Sequence, residues 1–583
     1  MDGLSVEQNL NKAKSLVRKG KSLEALNLYN AIIKKFPHNK RAQLGIEQLK
    51  PVKSQKTNPS QQDIDNLVES YQTGQYAEAE NLAQLMTQDF PENPFGWKVL
   101  GAVLKETGRV NESLIPFHKS LEITPQDPTA YNNLGVTLQQ LGRLEEAETF
   151  LRQAIVLKFD YAIAHNNLGI TLNALGRLKE AEASLKQAIN LKSDYVEVYA
   201  NLGNTLKKLN KLDEARVSYT KLIQLRPDYI EGYKNLGVIL REMGKLSESE
   251  ERFRQVIALK PDDVETYNNF GNTLQEMGKF EEAIDSYEKA IKLRPNYLEA
   301  QENLISCLTF FTPKNRISNS ISVLNEKIKQ ELIRPDHKGK ISDNSVINLI
   351  SKSLNLIKDH KLNFASKETQ IYRRNTSNLN CKRHMSIFRQ HNIIPEFCFG
   401  CYKVQIEPSN MLDLVKLITI FDELKLEDNN TRKCMVELRP EISGSYKGLI
   451  YCSNLVQANK IAIITDRIVK QKISSKLTAK VKRGCSEYPI SFPNYKEINN
   501  NGPQIMNYNK DWVHIEEAYD KENPHFKEKK IYESITGLNL QDVLIIRNWI
   551  DYAKGIGDTS INSLNVEDLK NPFIYNNAIK RSS

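Results

Sequence analysis

From residue 94 to residue 311, apolar clusters and polar stretches alternate in a pattern that returns every 34 residues. Gly101, Gly135, Gly169, Gly203, Gly237 and Gly271 mark the period. A large residue stands four positions before each: Trp97, Tyr131, His165, Tyr199, Tyr233 and Tyr267. A second glycine follows seven residues later in most units, at Gly108, Gly142, Gly176, Gly244 and Gly278. Ala147, Ala181, Ala215 and Ala283 hold the next fixed offset, and Pro91, Pro125, Pro227, Pro261 and Pro295 close several units. Helical periodicity on either side of the turn glycine predicts two helices per unit. The glycine after each leucine, as in Leu134-Gly135, lets the partner helix come close. The turn glycine ends the first helix in a left-handed conformation, and the proline stops the second. One such hairpin cannot bury its own apolar face, so the units must stack.

The register extends backward into a weaker unit at about 60–93, with Gly74 and Ala79, and another at about 8–41, with Gly20, Ala25 and Pro37. The segment PVKSQKTNPSQQ, from Pro51, separates the two as a loop. Residues 298–311 predict one more first helix, a cap, for about eight repeats in all. Beyond Thr312 the period is lost. ISDNSVINLISKSLNLIKDHKL, from Ile341, is helical with Asp343 as its cap, and SKETQIYRRNTSNLN, from Ser366, is a polar loop. CYKVQIE (from Cys401), RKCMVELRP (from Arg432), YKGLIYCS (from Tyr446) and LTAKVKRGC (from Leu477) alternate as strands. Helical stretches start at Asn410 and Leu455. The order strand, helix, strand, strand, helix, strand matches the ferredoxin-like βαββαβ arrangement. GLNLQDVLIIRNWIDYAK, from Gly537, predicts an amphipathic helix packed on that domain.

The repeat residues resemble the tetratricopeptide repeat, whose signature is an aromatic, Leu-Gly, a turn glycine, a small alanine and a closing proline. The resemblance covers roughly the first 310 residues. It implies an all-α solenoid in the N-terminal half, followed here by an α+β domain. The expected boundaries are 1–50 for degenerate repeat-like helices, 60–311 for the solenoid with its cap, 312–380 for a linker and helix, 381–495 for the α+β domain, and 496–583 for a helical tail.

Two positions before the later glycines stand Asn133, Asn167, Asn201, Asn235 and Asn269, and Asn303 continues the spacing into the cap helix. Asparagine is a mediocre helix former. On a helical wheel Asn133 falls away from Tyr131, Leu134 and Leu138, outside the hairpin core. An amide carries donors and an acceptor, so a row of them can pair with the backbone of an extended peptide whatever its side chains. The plainer use is a bond to the neighbouring first helix. The ladder is similar to the repeat arm of O-linked N-acetylglucosamine transferases, where the resemblance implies capture of substrate peptides in the inner groove. That resemblance stops at the arm, because no Gly-rich phosphate loop follows a strand in the second half.

Composition sharpens the rest. The chain has 583 residues, too many for one core, with 40% hydrophobic and 26% charged residues, as in a folded protein. No apolar stretch is long enough to span a membrane. The start lacks the pattern of a secretory signal, so a cytoplasmic address is expected. Residues 312–583 carry 42 Lys and Arg against 30 Asp and Glu, so all the net charge of +10 lies there. An anionic partner for that half is therefore in view. Arg373, Arg374, Lys382, Arg383 and Arg389 form one basic group. Arg467, Lys470, Lys472, Lys476, Lys480, Lys482 and Arg483 form a second, with phosphate contact or a solvated face as its readings.

Six of seven cysteines fall between Cys381 and Cys485. Cys381 and His384, then Cys398 and Cys401, make C-x2-H followed by C-x2-C, a spacing that suits tetrahedral zinc. An iron–sulfur centre is the alternative, and His391 is an alternative partner for His384. Cys434 shares strand parity with Val436 and Leu438 and reads as a small buried hydrophobe, whereas Cys485 is a ligand or a thiol beside Arg483. Glu437, Arg439 and Glu441 line a strand end, as a site or as plain surface. No G-x-S-x-G, H-E-x-x-H or phosphate loop occurs. Three functions follow: a polypeptide-binding scaffold with a C-terminal effector domain, a protein-modifying transferase that uses the arm for recruitment, and a nucleic-acid-associated adaptor.

Overall fold

The structure, a computed structural model, describes residues 5–19, 21–49, 58–313, 319–331, 339–360, 368–373, 379–439, 442–523, 536–564 and 572–582. Gly20, Arg374, Glu441 and the greater part of the loop from Pro51 lie outside the described residues. The chain divides into two compact units, residues 1–205 and 206–583.

In the first unit the helices Val6–Arg18, Ser22–Lys35 and Lys40–Leu49 close around Leu10, Ala13, Ala25, Tyr29, Ile32 and Ala42. Four hairpins follow: Gln61–Gln72 with Tyr76–Asp89, Pro94–Glu106 with Val110–Ile123, Pro128–Gln140 with Leu144–Leu157, and Ala162–Ala174 with Leu178–Leu191. The last three of these are each shut at a glycine, Gly101, Gly135 and Gly169. A Cβ on Gly135 would lie 2.6 Å from Leu151 Cγ, so only glycine lets the second helix sit this close. Ala147 and Ala181 are fully buried where the helices cross. Gly176 ends its helix with φ +77°, which an L side chain adopts only under strain. Neighbouring hairpins are also clipped from outside, as where Arg177 pairs with Glu148 at 2.6 Å.

The second unit repeats this architecture in Ile230–Glu242 with Leu246–Leu259 and in Val264–Met277 with Phe280–Leu293, and then adds the single cap helix Leu298–Cys307. The turn that lacks a glycine carries Asn210 at φ 61°, asparagine being the next most tolerant residue there. One hydrophobic core then runs from Phe253 in the late repeats to Ala578 near the end of the chain.

Five antiparallel strands form the sheet of this unit: β1 Gln370–Arg373, β2 Tyr402–Ile406, β3 Arg432–Val436, β4 Tyr446–Cys452 and β5 Ala479–Arg483. Their order is β1-β3-β4-β2-β5. Strands β2 to β5, with the helices Met411–Glu423 and Leu455–Lys472, have the expected βαββαβ order. The added β1 lies in the segment read as loop, and pairs Ile371 with Cys434 on the outer edge of β3. Val404, Ile406, Cys434, Val436 and Ile450 are buried on the helix-covered face, so Cys434 is the core residue its parity indicated. The segment from Ile341 is capped by Ser342, whose hydroxyl accepts from the Ser345 amide, rather than by Asp343.

The tail helix, Leu540–Ile556, differs most from expectation. Every residue from Asp542 to Ala553 is buried, so the helix is enclosed on all sides rather than amphipathic. Its polar residues are satisfied inside. Arg373 of β1 pairs with Asp542 at 2.8 Å and with Asp422 at 2.7 Å. Asn548 and the Trp549 indole donate to the carbonyls of Glu368 and Thr369. Tyr552 donates to the Glu437 carbonyl at 2.9 Å, fixing the strand end where the cavity described below begins.

Gly135→Ala forces a methyl against Leu151 and is expected to cost about 1–3 kcal/mol. Gly176→Ala meets no atom within 4 Å and pays only the left-handed strain, about 1 kcal/mol. Urea unfolding midpoints should fall in that order.

Candidate functional site

Two surfaces carry chemistry. The first is the asparagine ladder, whose six members are all half-buried. In the first unit Asn167 Nδ2 donates to Asn132 Oδ1 and Asn201 Nδ2 to Asn166 Oδ1, each at 2.9 Å. In the second unit Asn303 Nδ2 donates to Asn268 Oδ1 at 2.8 Å. Each bond reaches back 35 residues, to the first helix of the preceding repeat. For Asn133, Asn235 and Asn269 the residues 35 positions earlier are Lys98, Ala200 and Lys234, which have no amide oxygen. The side chains of these three make no hydrogen bond among the described residues. Half of the ladder thus joins one repeat to the next, and the other half holds its amides open.

The second surface is the face of the sheet that the two helices leave uncovered. A cavity of about 940 Å³ lies over it, bordered by β1 to β5, by Cys381 and Met385, and by residues 482–497. Lys403 of β2, Lys447 of β4 and Lys433 of β3 leave three adjacent strands on this side. Lys403 stands opposite Tyr451 on one flank and Lys482 on the other. Lys447 is bonded to Glu437 at 3.0 Å, and Arg439 grips the same carboxylate at 2.7 Å. Burial works against the Glu437 charge, but these hydrogen bonds outweigh it and hold its pKa at about 2. Lys433 reaches Gln370 at 3.3 Å and lies over the rings of Tyr372 and Tyr451.

Lys403 is only 8% exposed and has no hydrogen-bond or ion-pair partner among the described residues. Burial pulls its ammonium down to about 8; Lys433 and Lys447 push the same way, and the thiols of Cys485 and Cys401 oppose them. Cationic residues outnumber carboxylates seven to three among the described residues of the lining, so the cavity is positive. None of the three lysines stood out in the sequence. The available signal was that each sits on the polar parity of its strand, and the βαββαβ order makes those strands neighbours.

Of the proposed metal ligands Cys381 borders this cavity, and His384, Cys398 and Cys401 are not in its lining. Cys381 opens the helix Cys381–His391 and is exposed. Cys398 is buried, with Sγ 3.3 Å from the Tyr488 hydroxyl. Burial pushes the Cys401 thiol up to about 12 and the Cys485 thiol to about 11. The Gly484 amide donates to the Cys401 carbonyl at 2.9 Å, which brings the next residue, Cys485, beside Cys401, and Cys485 borders the cavity with Cys381. His384 instead stacks on Phe397 at 5.1 Å, and burial with Arg383 nearby holds its pKa at about 4. Among the described residues no group of three or more His, Cys, Asp or Glu side chains is placed to hold a metal ion.

Five of the eleven described members of the basic groups are ion-paired. Arg383 binds Asp520 and Glu516, and Arg373 is interior. Lys470 meets Asp466 at 2.7 Å, Lys472 meets Glu423 at 3.0 Å, and Lys482 meets Glu407 at 3.2 Å. No helix among the described residues is long and apolar enough to cross a membrane.

A lysine held near pH 8 in the folded chain and near 10.4 unfolded burdens the fold at neutral pH and is relieved above its folded value. Lys403→Met should therefore be more stable than wild type at pH 7, by roughly 1–3 kcal/mol, with the gap narrowing between pH 8 and pH 10. Denaturant titrations across that range would show it.

Comparisons bear on the repeats. Family models described as "Tetratricopeptide repeat" match residues 10–46, 128–194 and 264–297. A model described as "TPR repeat" matches 203–244 and 237–278. No curated protein matches the chain. Among solved structures the chain is similar to YrrB, described as a TPR protein with an unusual peptide-binding site, at 25% identity over 32% of this chain and 96% of that one, with a TM-score of 0.30. It is also similar to PilF of Pseudomonas aeruginosa (20% identity, 36% of this chain and 95% of that one, TM-score 0.33). A further similar structure is the APC/C hetero-tetramer Cut9-Hcn1 (17% identity, 53% of this chain and 57% of that one, TM-score 0.36). With its glycine-shut hairpins and the family matches along its first 297 residues, the chain is a tetratricopeptide-repeat protein.

Proposed function

We propose that this protein is an interaction scaffold whose repeats hold extended polypeptide by its backbone. The observation that carries this reading is the set of open amides on Asn133 in the first unit and on Asn235 and Asn269 in the second. A half-buried amide stays open to a peptide backbone, which displaces its water, unless a group of the protein bonds it. Nothing within the chain does so at these three positions among the described residues. An extended peptide offers alternating N–H and C=O groups that an asparagine can answer on both sides. The bonded members contribute too, because an amide that donates one hydrogen keeps a second. Their bonds between repeats would hold the open amides at a constant pitch. Recognition by backbone alone tolerates many sequences, so the captured segment is defined by being extended and uncharged along that face rather than by a motif.

A random 12-residue peptide library panned on the full chain should yield peptides of diverse sequence. Asn235→Ala with Asn269→Ala should weaken them roughly tenfold or more, at about 0.5–1.5 kcal/mol per lost bond, and leave the unfolding midpoint nearly unchanged. Unchanged affinity in that double variant, measured by fluorescence anisotropy, would reject the reading. Asn167→Ala leaves the Asn132 oxygen unpaired and should lower stability by about 1–2 kcal/mol.

A further inference from the structure

The positive cavity on the sheet belongs to neither the peptide reading nor the repeats. We propose that it binds a small organic phosphate, with the phosphate taken by the ammoniums of Lys403 and Lys433 and the organic part lying along Met435, Leu449 and Tyr451.

The case rests on what surrounds Lys403. Its side chain is more than nine-tenths buried, lines the cavity and has no partner among the described residues. A buried ammonium without a counter-charge is among the costliest arrangements a fold can carry. Here it lies in a cavity with two more lysines, from the next two strands. The one deeply buried carboxylate in the lining, Glu437, is committed to Lys447 and Arg439. Among the described residues Lys433 donates only one long bond, to Gln370, and otherwise meets ring faces. An anion entering the cavity would supply the missing charge.

The chemistry of the donors narrows its class. Arg439 spends its fork on Glu437 and Glu487. The Arg483 guanidinium lies 5.3 to 5.7 Å from the rings of Tyr495, Tyr402 and Phe399 and donates to Gln504. The Arg439 fork is thus engaged, while Arg483 keeps a buried Nε and Nη1 without a hydrogen-bond partner among the described residues, donors that suit phosphate oxygens, and the lysines are point donors suited to a tetrahedral dianion. Inorganic phosphate alone would leave most of about 940 Å³ empty, a volume in the range of small-molecule sites. The remaining lining includes methionine, leucine and tyrosine, which favours an apolar or aromatic substituent. Nucleic acid is disfavoured, because a polymer backbone cannot bring its phosphates to a lysine this deep.

Calorimetric titration of the full chain tests this, with phenyl phosphate, inorganic phosphate and phthalate as probes. Phenyl phosphate should bind with a sub-millimolar Kd, at least about tenfold tighter than inorganic phosphate, and phthalate should not compete. Lys403→Met should weaken phenyl phosphate at least about tenfold, while Lys480→Met, exposed on the same sheet, should change it less than about twofold. Tighter binding of phthalate, equal losses in both variants, or no binding of phenyl phosphate at about 10 mM would each overturn the proposal. Should Lys403→Met fail to fold, the wild-type protein still decides. Phenyl phosphate at saturation should then slow reductive methylation of Lys403 in the wild-type chain, read by peptide mass spectrometry, and phthalate should not. Equal methylation of Lys403 with and without phenyl phosphate would refute the assignment.

Discussion

The two helices of a repeat meet where a glycine leaves room for the side chain facing it. Leu151 against Gly135 and Tyr287 against Gly271 are the same contact in different units, and a methyl group would close either. With that spacing fixed, the fully buried alanines can occupy the crossing points and the turn residues can take left-handed geometry. The distance from one first helix to the next is then constant. Only under that condition can an asparagine reach an amide exactly one repeat plus one residue back, as Asn167 and Asn303 do. The polar surface is therefore set by apolar packing on the other side of the same helix.

The second unit solves a different problem, the housing of charge. Arg373, Asp422 and Asp542 form an interior group that ties β1 to the tail helix, with every member almost fully buried. Such a group adds little net stability over apolar packing, but removing one member strands the others. The sheet has two unlike faces in consequence. One is sealed by helices and filled with Val404, Ile406 and Ile450. The other collects lysines over a cavity, where a single buried carboxylate balances only part of the charge.

How much of this the sequence discloses depends on whether the cause is local. Hairpins, turn glycines and strand parity are local, and each appears in the chain as a spacing. The position of the ladder is likewise legible, but its division into bonded and open amides is not. That division depends on whether residue 132, 166 or 268 supplies an oxygen one repeat away, a relation that needs the pitch of the array. QIYR is too short and too polar to announce a strand, and becomes β1 because β3 offers it an edge. Asp542, Arg547, Asn548 and Asp551 suggest a wet helix face, yet they are buried, because Arg373 and the Glu368 carbonyl wait for two of them. The spacing of Cys381, His384, Cys398 and Cys401 is legible in the chain, but the stacking of His384 on Phe397 and the approach of Cys485 to Cys401 are not, because both depend on contacts distant in sequence or on the strand pairing. Lysines on polar strand parity look like solvated surface until the strand order places them together over one cavity.

The central claim is that open asparagine amides on the repeats bond a captured backbone. Side-chain NH₂ resonances of selectively ¹⁵N-asparagine-labelled protein, followed during titration with a bound peptide, test it most directly. The account predicts large shifts and slowed hydrogen exchange at Asn235 and Asn269, with smaller changes at Asn303, which already donates one hydrogen to Asn268. Saturable peptide binding that leaves the side-chain amides of Asn235 and Asn269 unmoved would contradict it.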